Sequence, residues 1–452
     1  MKLVHILVAG LGLCLMATSA LAKVPKSQAD RLGNDLTPIG AEKAGDGAIP
    51  AWTGGLENVP GNVAYTPGEK LEDPFAADPL KFTITAANMD QYSENLSEGY
   101  KTLLRTFPDT YFMNVYQSRR SCAYPDTVYT ATKNNAEVGE LIGGGTGIAE
   151  AIMGFPFPIP NNALEIIWNH TLRYRSFKST RQFTVAPVTR SGDYTLRTVQ
   201  DEFFLKWSDP SARRAEDLDN ISFLWLGNIV SPARSAGNVF LVHETLNQAI
   251  ESRRAWQYSA GTRRVRRAPD IAYDFATADT DLLATTDNFD GYSGSPDRYD
   301  WTVTGKSKKY IAYNNYVAES TPYAEFLNVR HLNQDKIRYE LQRVWTIQAT
   351  LKPDARHVYA RRVKHLNEDN WQLANGELYD SRGGLWRVQE LHTLQRYNVP
   401  LCGSGAEIVY DLQEGRYVAM SMQNEEPPVN YFADELDESR YTPSSIRRIG
   451  IR

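Results

Sequence analysis

Residues 251–270 read ESRRAWQYSAGTRRVRRAPD and concentrate charge chemistry, with six arginines between Arg253 and Arg267. A guanidinium is a planar fork that grips a carboxylate or phosphate through two parallel hydrogen bonds, which an ammonium does less well. Two-residue alternation makes this stretch a β-hairpin. Its first arm sets Arg254, Trp256 and Tyr258 on one face and Arg253, Ala255 and Gln257 on the other. Ser259, Ala260, Gly261 and Thr262 form the turn, with Gly261 available for a positive φ. On the return, Arg263, Val265 and Arg267 oppose Arg264 and Arg266, and Pro269 ends the strand because it has no N–H to give. Two uses compete. Arg263, Arg264, Arg266 and Arg267 contact an anionic membrane or an acidic partner, or they pair with Asp270, Asp274, Asp279 and Asp281 as a solvated face. Trp256 and Tyr258 can likewise touch a ligand or stack on a guanidinium.

Other reactive residue types lack the spacing their chemistry needs. Gly143, Gly144, Gly145 and Gly147 form a glycine cluster, but no Lys-Ser/Thr or spaced fingerprint follows to make a phosphate loop. Among seven histidines, His243-Glu244 has no second histidine in the zincin position, and His357 and His365 share one expected strand eight residues apart. Ser404 between Gly403 and Gly405 reads as a turn rather than a nucleophile elbow. No catalytic residue, metal ligand or cofactor motif emerges, and the chain is read as a non-enzyme. With 49 basic against 54 acidic residues it is also a poor nucleic-acid binder.

The elements that carry these residues are mainly strands. Those expected span 165–177, 182–189, 193–207, 221–231, 238–246, the hairpin, 309–316, 337–351, 357–367, 371–379, 385–397, 407–412 and 416–422. Turns at Lys352-Pro353-Asp354, Ala374-Asn375-Gly376 and Ser381–Gly384 join the later ones into an antiparallel meander. The clearest helix spans 88–107, capped by Asn88, with Met89, Tyr92, Leu96, Tyr100, Leu103 and Leu104 on one stripe that suits a sheet face. A second helical interval lies around 276–283. Before them, residues 23–80 form an extended arm with one short helix at 28–36, pinned by Trp52 and Tyr65. The tail after Asn424 is expected to be extended. Phe155-Pro156-Phe157-Pro158 is an apolar loop over the core or at a cavity mouth.

Residues 1–22 read as a secretory signal peptide: Lys2, an apolar run at 6–16, and Ala20-Leu21-Ala22 before the cleavage point. The run is too short for a membrane anchor. A periplasmic address follows, with outer-membrane association as an option, and 23–452 is taken as one large domain. Cys122 and Cys402 are the two cysteines left after cleavage, and an oxidising compartment favours pairing them.

Four stretches, RRAWQYSAGTRRVRRAP with a following YD, DGYSGSPDRYDW, MGFPFPIPNNALEIIWN and ARRVKHLNEDNWQLANGELYDSRGGLWRV, resemble the domain of unknown function 1329 family. That family comprises secreted Gram-negative proteins similar to outer-membrane lipoprotein-sorting carriers of the LolA/LolB type. The resemblance covers essentially all of the chain after residue 22. It implies a large, strongly curved antiparallel sheet, an unclosed half-barrel with helices on its concave face as a lid, holding lipid-like or other hydrophobic molecules. It also implies a resistance-nodulation-division (RND) exporter and an outer-membrane barrel-like protein as partners. Phe155, Phe157, Trp168, Trp225, Trp256, Tyr258 and Trp345 are the candidates for contact with such a ligand, with ordinary core packing as their competing use. Two other functions stay open: an adaptor whose sheet face is filled by its own side chains, and a hydrolase of hydrophobic esters.

Overall fold

A computed structural model describes residues 23–268 and 273–450. The expected signal segment, Pro269 and Asp270 lie outside these residues. The helices are α1 (Lys26–Ala29), α2 (Glu98–Thr106), α3 (Asp126–Val138), α4 (Ala163–Thr171), α5 (Tyr316–Ser320), α6 (Tyr323–Phe326) and α7 (Pro443–Gly450). The first ten strands are β1 (Phe82–Ile84), β2 (Met113–Tyr116), β3 (Glu140–Ile142), β4 (Gly147–Ala149), β5 (Lys178–Val188), β6 (Arg197–Phe204), β7 (Ile221–Ser231), β8 (Val239–Thr245), β9 (Arg254–Ser259) and β10 (Arg264–Arg267). After them come β11 (Tyr299–Ala312), β12 (Tyr339–Leu351), β13 (Arg361–Asn367), β14 (Leu373–Tyr379), β15 (Leu385–Arg396), β16 (Leu401–Asp411) and β17 (Arg416–Met422).

Fifteen of these strands make one open sheet in the order β1-β2-β12-β13-β14-β15-β16-β17-β5-β6-β7-β8-β9-β10, with β11 also paired to β12. Every neighbour is antiparallel except β2 beside β12. Two meanders are therefore joined by a long-range ladder, where β17 runs against β5 with Tyr417 opposite Val188. The sheet does not close: β10 ends it on one side, and β11 and β1 end it on the other.

Helices cover both faces, because adjacent strand residues point to opposite sides. Val388 of β15 lies in the apolar cluster with Tyr100, Leu103 and Leu104 of α2. Leu391 of the same strand lies in another cluster, with Ile166 and Ile167 of α4. All residues of β14 are buried as a result, so these strands lack the polar side of a half-exposed sheet.

Several expected elements are corrected. The strand expected at 165–177 is α4: Asn162 caps it by accepting from the Glu165 N–H at 3.0 Å, and the Glu165 carboxylate accepts from Asn162 Nδ2 at 2.9 Å. This reciprocal cap, with Ala163, Ile166, Ile167 and His170 on one buried stripe, was a helical period in the sequence. The helix expected at 88–107 is broken. Met89–Asn95 forms a 3-10 turn, Leu96 is extended, and Ser97 caps α2 by accepting from the Tyr100 N–H. Asn88 instead accepts from the Thr85 N–H. Residues 276–283 hold only the short 3-10 turn Ala278–Thr280, and the tail carries the helix α7. In the arginine hairpin the positive φ falls on Arg263, at 53°, not on Gly261. The strand expected to begin at 309 begins at Tyr299.

The N-terminal arm is anchored where its aromatics suggested. Trp52 Nε1 donates to the Cys122 carbonyl at 3.2 Å, and Tyr65 Oη accepts from Asn398 Nδ2 at 3.0 Å. Beside that anchor Cys122 and Cys402 form a buried disulfide across 280 residues of sequence, with Cα atoms 5.2 Å apart. Closing so long a loop restricts the unfolded chain by up to about 5 kcal/mol in the chain-entropy view. The double substitution Cys122→Ser/Cys402→Ser is expected to cost about 2–5 kcal/mol. Chemical denaturation of the two proteins measures it.

Candidate functional site

Two environments on the sheet carry buried chemistry. Under α2, strand β15 alternates Val388, Glu390 and His392 into an apolar layer. Glu390 accepts from Tyr339 Oη at 3.1 Å, and His392 Nε2 lies 2.9 Å from its other oxygen. Tyr111 and Tyr339 hydroxyls are 3.3 Å apart, and the Tyr100 ring meets Tyr339 edge-on at 5.7 Å. Burial, then the Glu390 charge, holds the Tyr100, Tyr111, Tyr339 and Tyr410 hydroxyls well above their ordinary pKa. They therefore stay neutral hydroxyls at any physiological pH. His392 Nδ1 is buried without a hydrogen-bond partner among the described residues. A buried polar atom left so costs about 1–3 kcal/mol.

Helix α2 is held on this layer by side chains. The Gly99 N–H donates to Glu377 Oε1 at 3.0 Å, and Glu377 in turn meets His365 at 3.2 Å. Gly99 is required by the approach itself, because a Cβ there would lie 2.8 Å from Val388 Cγ1.

The opposite face is closed by residues 284–299, much of the DGYSGSPDRYDW stretch, which brings acids to buried cations. Arg362 donates to Asp287 at 2.5 Å, beside His357 at 3.1 Å from the same carboxylate oxygen. The Arg362 guanidinium also lies 4.8–5.5 Å from the rings of Tyr299, Tyr359 and Tyr292. Lys364 Nζ donates to the Gly291 carbonyl at 2.9 Å. Burial and the neighbouring Arg362 push this amine well below its ordinary value. Asp290 takes Arg173 and, at 3.0 Å, Arg175, while its N–H donates to Glu407 Oε2 at 2.6 Å. Burial raises the Asp290 carboxyl, but Arg173 and Arg175 outweigh it and hold it below its ordinary range. Glu407 is the reverse case, pushed up to about 7 by burial and by the Asp290 charge.

The aromatic candidates are dispersed. Phe155 and Trp345 belong to the cluster around α4, Phe157 and Trp168 to another, and Trp256 and Tyr258 to a third beneath α7. Trp168 Nε1 donates to the Gly145 carbonyl at 2.9 Å, and Trp225 Nε1 donates to Asp201 at 2.9 Å. Trp345 stacks on Trp371 at 6.3 Å, and Trp256 meets His243 at 4.9 Å. No cavity among the described residues is shared by these seven. An open cleft of about 490 Å³ lies elsewhere, between the arm and residues 423–431. Its lining mixes polar and apolar side chains, and Arg396 there pairs with Glu319 at 2.6 and 2.7 Å. The sequence reading missed Glu390 and His392, which stand in step with Val388 on a strand that also carries Arg387, Gln389, Thr393, Gln395 and Arg396.

In the arginine hairpin, Arg253 is spent on Glu244 and Arg254 on Glu251 at 3.4 Å. Arg263, Arg264, Arg266 and Arg267 are exposed and have no ion-pair partner among the described residues. Of the acids offered by the sequence, Asp270 lies outside the described residues, Asp274 faces Arg298 at 3.5 Å, and Asp281 faces Arg197 at 2.7 Å and Arg416 at 3.2 Å.

Two predictions follow from the buried charges. Asp287→Asn leaves Arg362 uncompensated, and the expected loss is about 3–5 kcal/mol, read from denaturant midpoints. Glu407 keeps its proton to about pH 7 when folded and releases it near 4.5 when unfolded. Across that window the folded state binds the extra proton, so stability falls as pH rises, by up to about 3 kcal/mol in total. Glu407→Gln is expected to flatten this slope in melting curves taken from pH 4 to 8, and an unchanged slope refutes the assignment.

Comparison with known proteins places the chain. A family model described as a protein of unknown function (DUF1329) matches residues 83–447. An uncharacterized protein of Pseudomonas aeruginosa is 45% identical over 98% of this chain and 97% of its own length. Among solved structures, a DUF1329 family protein from Desulfovibrio piger covers 60% of this chain and 92% of its own at 14% identity, with a TM-score of 0.40. A LolA superfamily protein from Nitrosomonas europaea covers 63% of this chain and 98% of its own at 11% identity, with a TM-score of 0.38. The chain belongs to the DUF1329 family.

Proposed function

We propose that this protein binds and carries a lipid-like or other hydrophobic molecule with one polar group, and that the guest lies between α2 and the sheet. The observation that carries this reading is the layer beneath α2. It is largely apolar with Glu390 and His392 set into it, and His392 Nδ1 has no hydrogen-bond partner among the described residues. Helix α2 covers it through side chains and one N–H bond to Glu377, without a main-chain ladder. Lifting α2 removes Tyr100, Leu103 and Leu104 and exposes Val388, Ile408 and Tyr410 to a guest chain. Each such contact regained is worth roughly 1.5–3 kcal/mol, while Tyr410, His392 and Glu390 meet the guest's hydroxyl or amine.

The setting proposed is the periplasm, with an RND exporter and an outer-membrane barrel-like protein as partners. Disulfides persist in oxidising compartments, and the Cys122–Cys402 bond is in keeping with that address. No helix among the described residues is long and apolar enough to cross a membrane. A second reading, an adaptor with a self-filled sheet, has its own support, because β13–β17 are buried on both faces by the protein's own side chains.

Native mass spectrometry of protein taken from the periplasm, and titration with fluorescent fatty-acid and sterol probes, separates the two readings. The carrier is expected to show a lipid-sized adduct or micromolar probe binding. Cross-linking α2 to the sheet with Gly99→Cys/Val388→Cys is expected to abolish that binding in the oxidised protein, with reduction of the cross-link restoring it. Absence of both adduct and probe binding leaves the adaptor.

A further inference from the structure

The unpaired arginines of the hairpin do not stand alone. Three segments distant in sequence meet at one end of the sheet: the β7–β8 turn, the β9–β10 turn and the C-terminal end of α7. The Ala260 N–H donates to Asn238 Oδ1 at 3.0 Å, tying the first two turns together. Helix α7 buries Ser445 and Ile446, and its last residue, Gly450, sits on the Tyr258 ring, where a Cβ would come within 2.3 Å of ring carbons. Its remaining side chains at 447 and 448 face outward and are exposed. Arg447 and Arg448 thereby join Arg234 of the β7–β8 turn and the hairpin's Arg263, Arg264, Arg266 and Arg267. All seven are exposed, and none has an ion-pair partner among the described residues. Many arginines elsewhere are paired, as at Arg120–Asp369, Arg181–Asp201 and Arg440–Glu202.

From this clustering we infer that this end of the sheet is a docking face for an anionic phospholipid surface. Charge complementarity selects the occupant. Guanidiniums take phosphate oxygens bidentately, and seven of them spread over two turns, an edge strand and a helix suit a planar array of many phosphates. An acidic peptide adding itself to the sheet edge would use only the four residues of β10, leaving Arg234, Arg447 and Arg448 without a role. The large exposed apolar side chains, such as Ile250, Phe275 and Phe432, lie outside the three segments. Contact is therefore electrostatic and shallow, which makes it reversible and salt-sensitive. The inference adds a membrane contact to the carrier reading, and its readout needs no cargo, so either can fail without the other.

The test is co-sedimentation of the purified protein with vesicles of phosphatidylcholine alone or mixed with phosphatidylglycerol. Binding is expected only to the mixed vesicles, and it is expected to vanish as salt rises from about 0.1 to about 1 M, where the Debye length shrinks from about 10 to about 3 Å. The variant R263Q/R264Q/R266Q/R267Q/R447Q/R448Q is expected to bind at least tenfold more weakly with an unchanged melting temperature. If that variant melts early, the corresponding Arg→Lys variant, which keeps the charge, is expected to retain binding. Equal binding to both vesicle types, no binding to anionic vesicles at low salt, or undiminished binding by a folded Gln variant each overturns the proposal. So does full displacement by inorganic phosphate at the same phosphate concentration, which would mark a free-anion site. Preferential capture of an acidic peptide over anionic vesicles would overturn it in favour of strand addition.

Discussion

A sheet buried on both faces has no solvent side on which to leave its charges, and this constraint shapes the rest of the molecule. Strands β13 to β17 carry Arg362, Lys364, Glu377, Arg387, Glu390, Glu407 and Asp411 into the interior. Each needs a partner delivered from another part of the chain, because an isolated buried charge costs far more than folding can supply. Residues 284–299 deliver Asp287, Asp290 and the Gly291 carbonyl to one face. Arginine partners also come from the neighbouring strand, as in Arg387 against Asp411 at 2.9 Å. Such pairs roughly break even against apolar residues of the same volume. What they enforce is register, since a one-residue slip would turn every charge to the wrong face.

The same constraint accounts for two of the stretches that carry the family resemblance, which serve as architecture. DGYSGSPDRYDW and ARRVKHLNEDNWQLANGELYDSRGGLWRV meet each other across the buried face, where Tyr292 and Tyr299 face the cations of β13. On the α2 face the polar insertion is smaller, and the cover is a short helix held by side chains.

Topology adds a third region of interest. Because β17 returns to pair with β5, the hairpin β9–β10 is pushed to the free edge of the sheet. The C-terminal helix then packs back over β8, β9 and β10. Of the acids that follow that edge in sequence, Asp274 is carried to Arg298 and Asp281 to Arg197 and Arg416. An edge strand lined with exposed cations also resists pairing with another chain.

Local pattern determined much of this. Period-two alternation located nearly every long strand and the hairpin, and Trp52 and Tyr65 were legible as anchors of the arm. The pairing of Cys122 with Cys402 followed from there being two cysteines and an oxidising address. Where two local codes competed, the sequence reading went astray. The run Ala163–Thr171 is apolar enough for a strand, but its Asn162–Glu165 cap makes it a helix, and Ser97 splits the helix expected at 88–107 by capping a second start. Only the tertiary structure decided which face each polar residue of β15 meets, that the seven aromatic candidates fall into separate clusters, and that Arg234, Arg447 and Arg448 join the hairpin. Those outcomes depend on contacts between residues up to hundreds of positions apart, and side-chain spacing along one strand carries no information about what the fold brings against it.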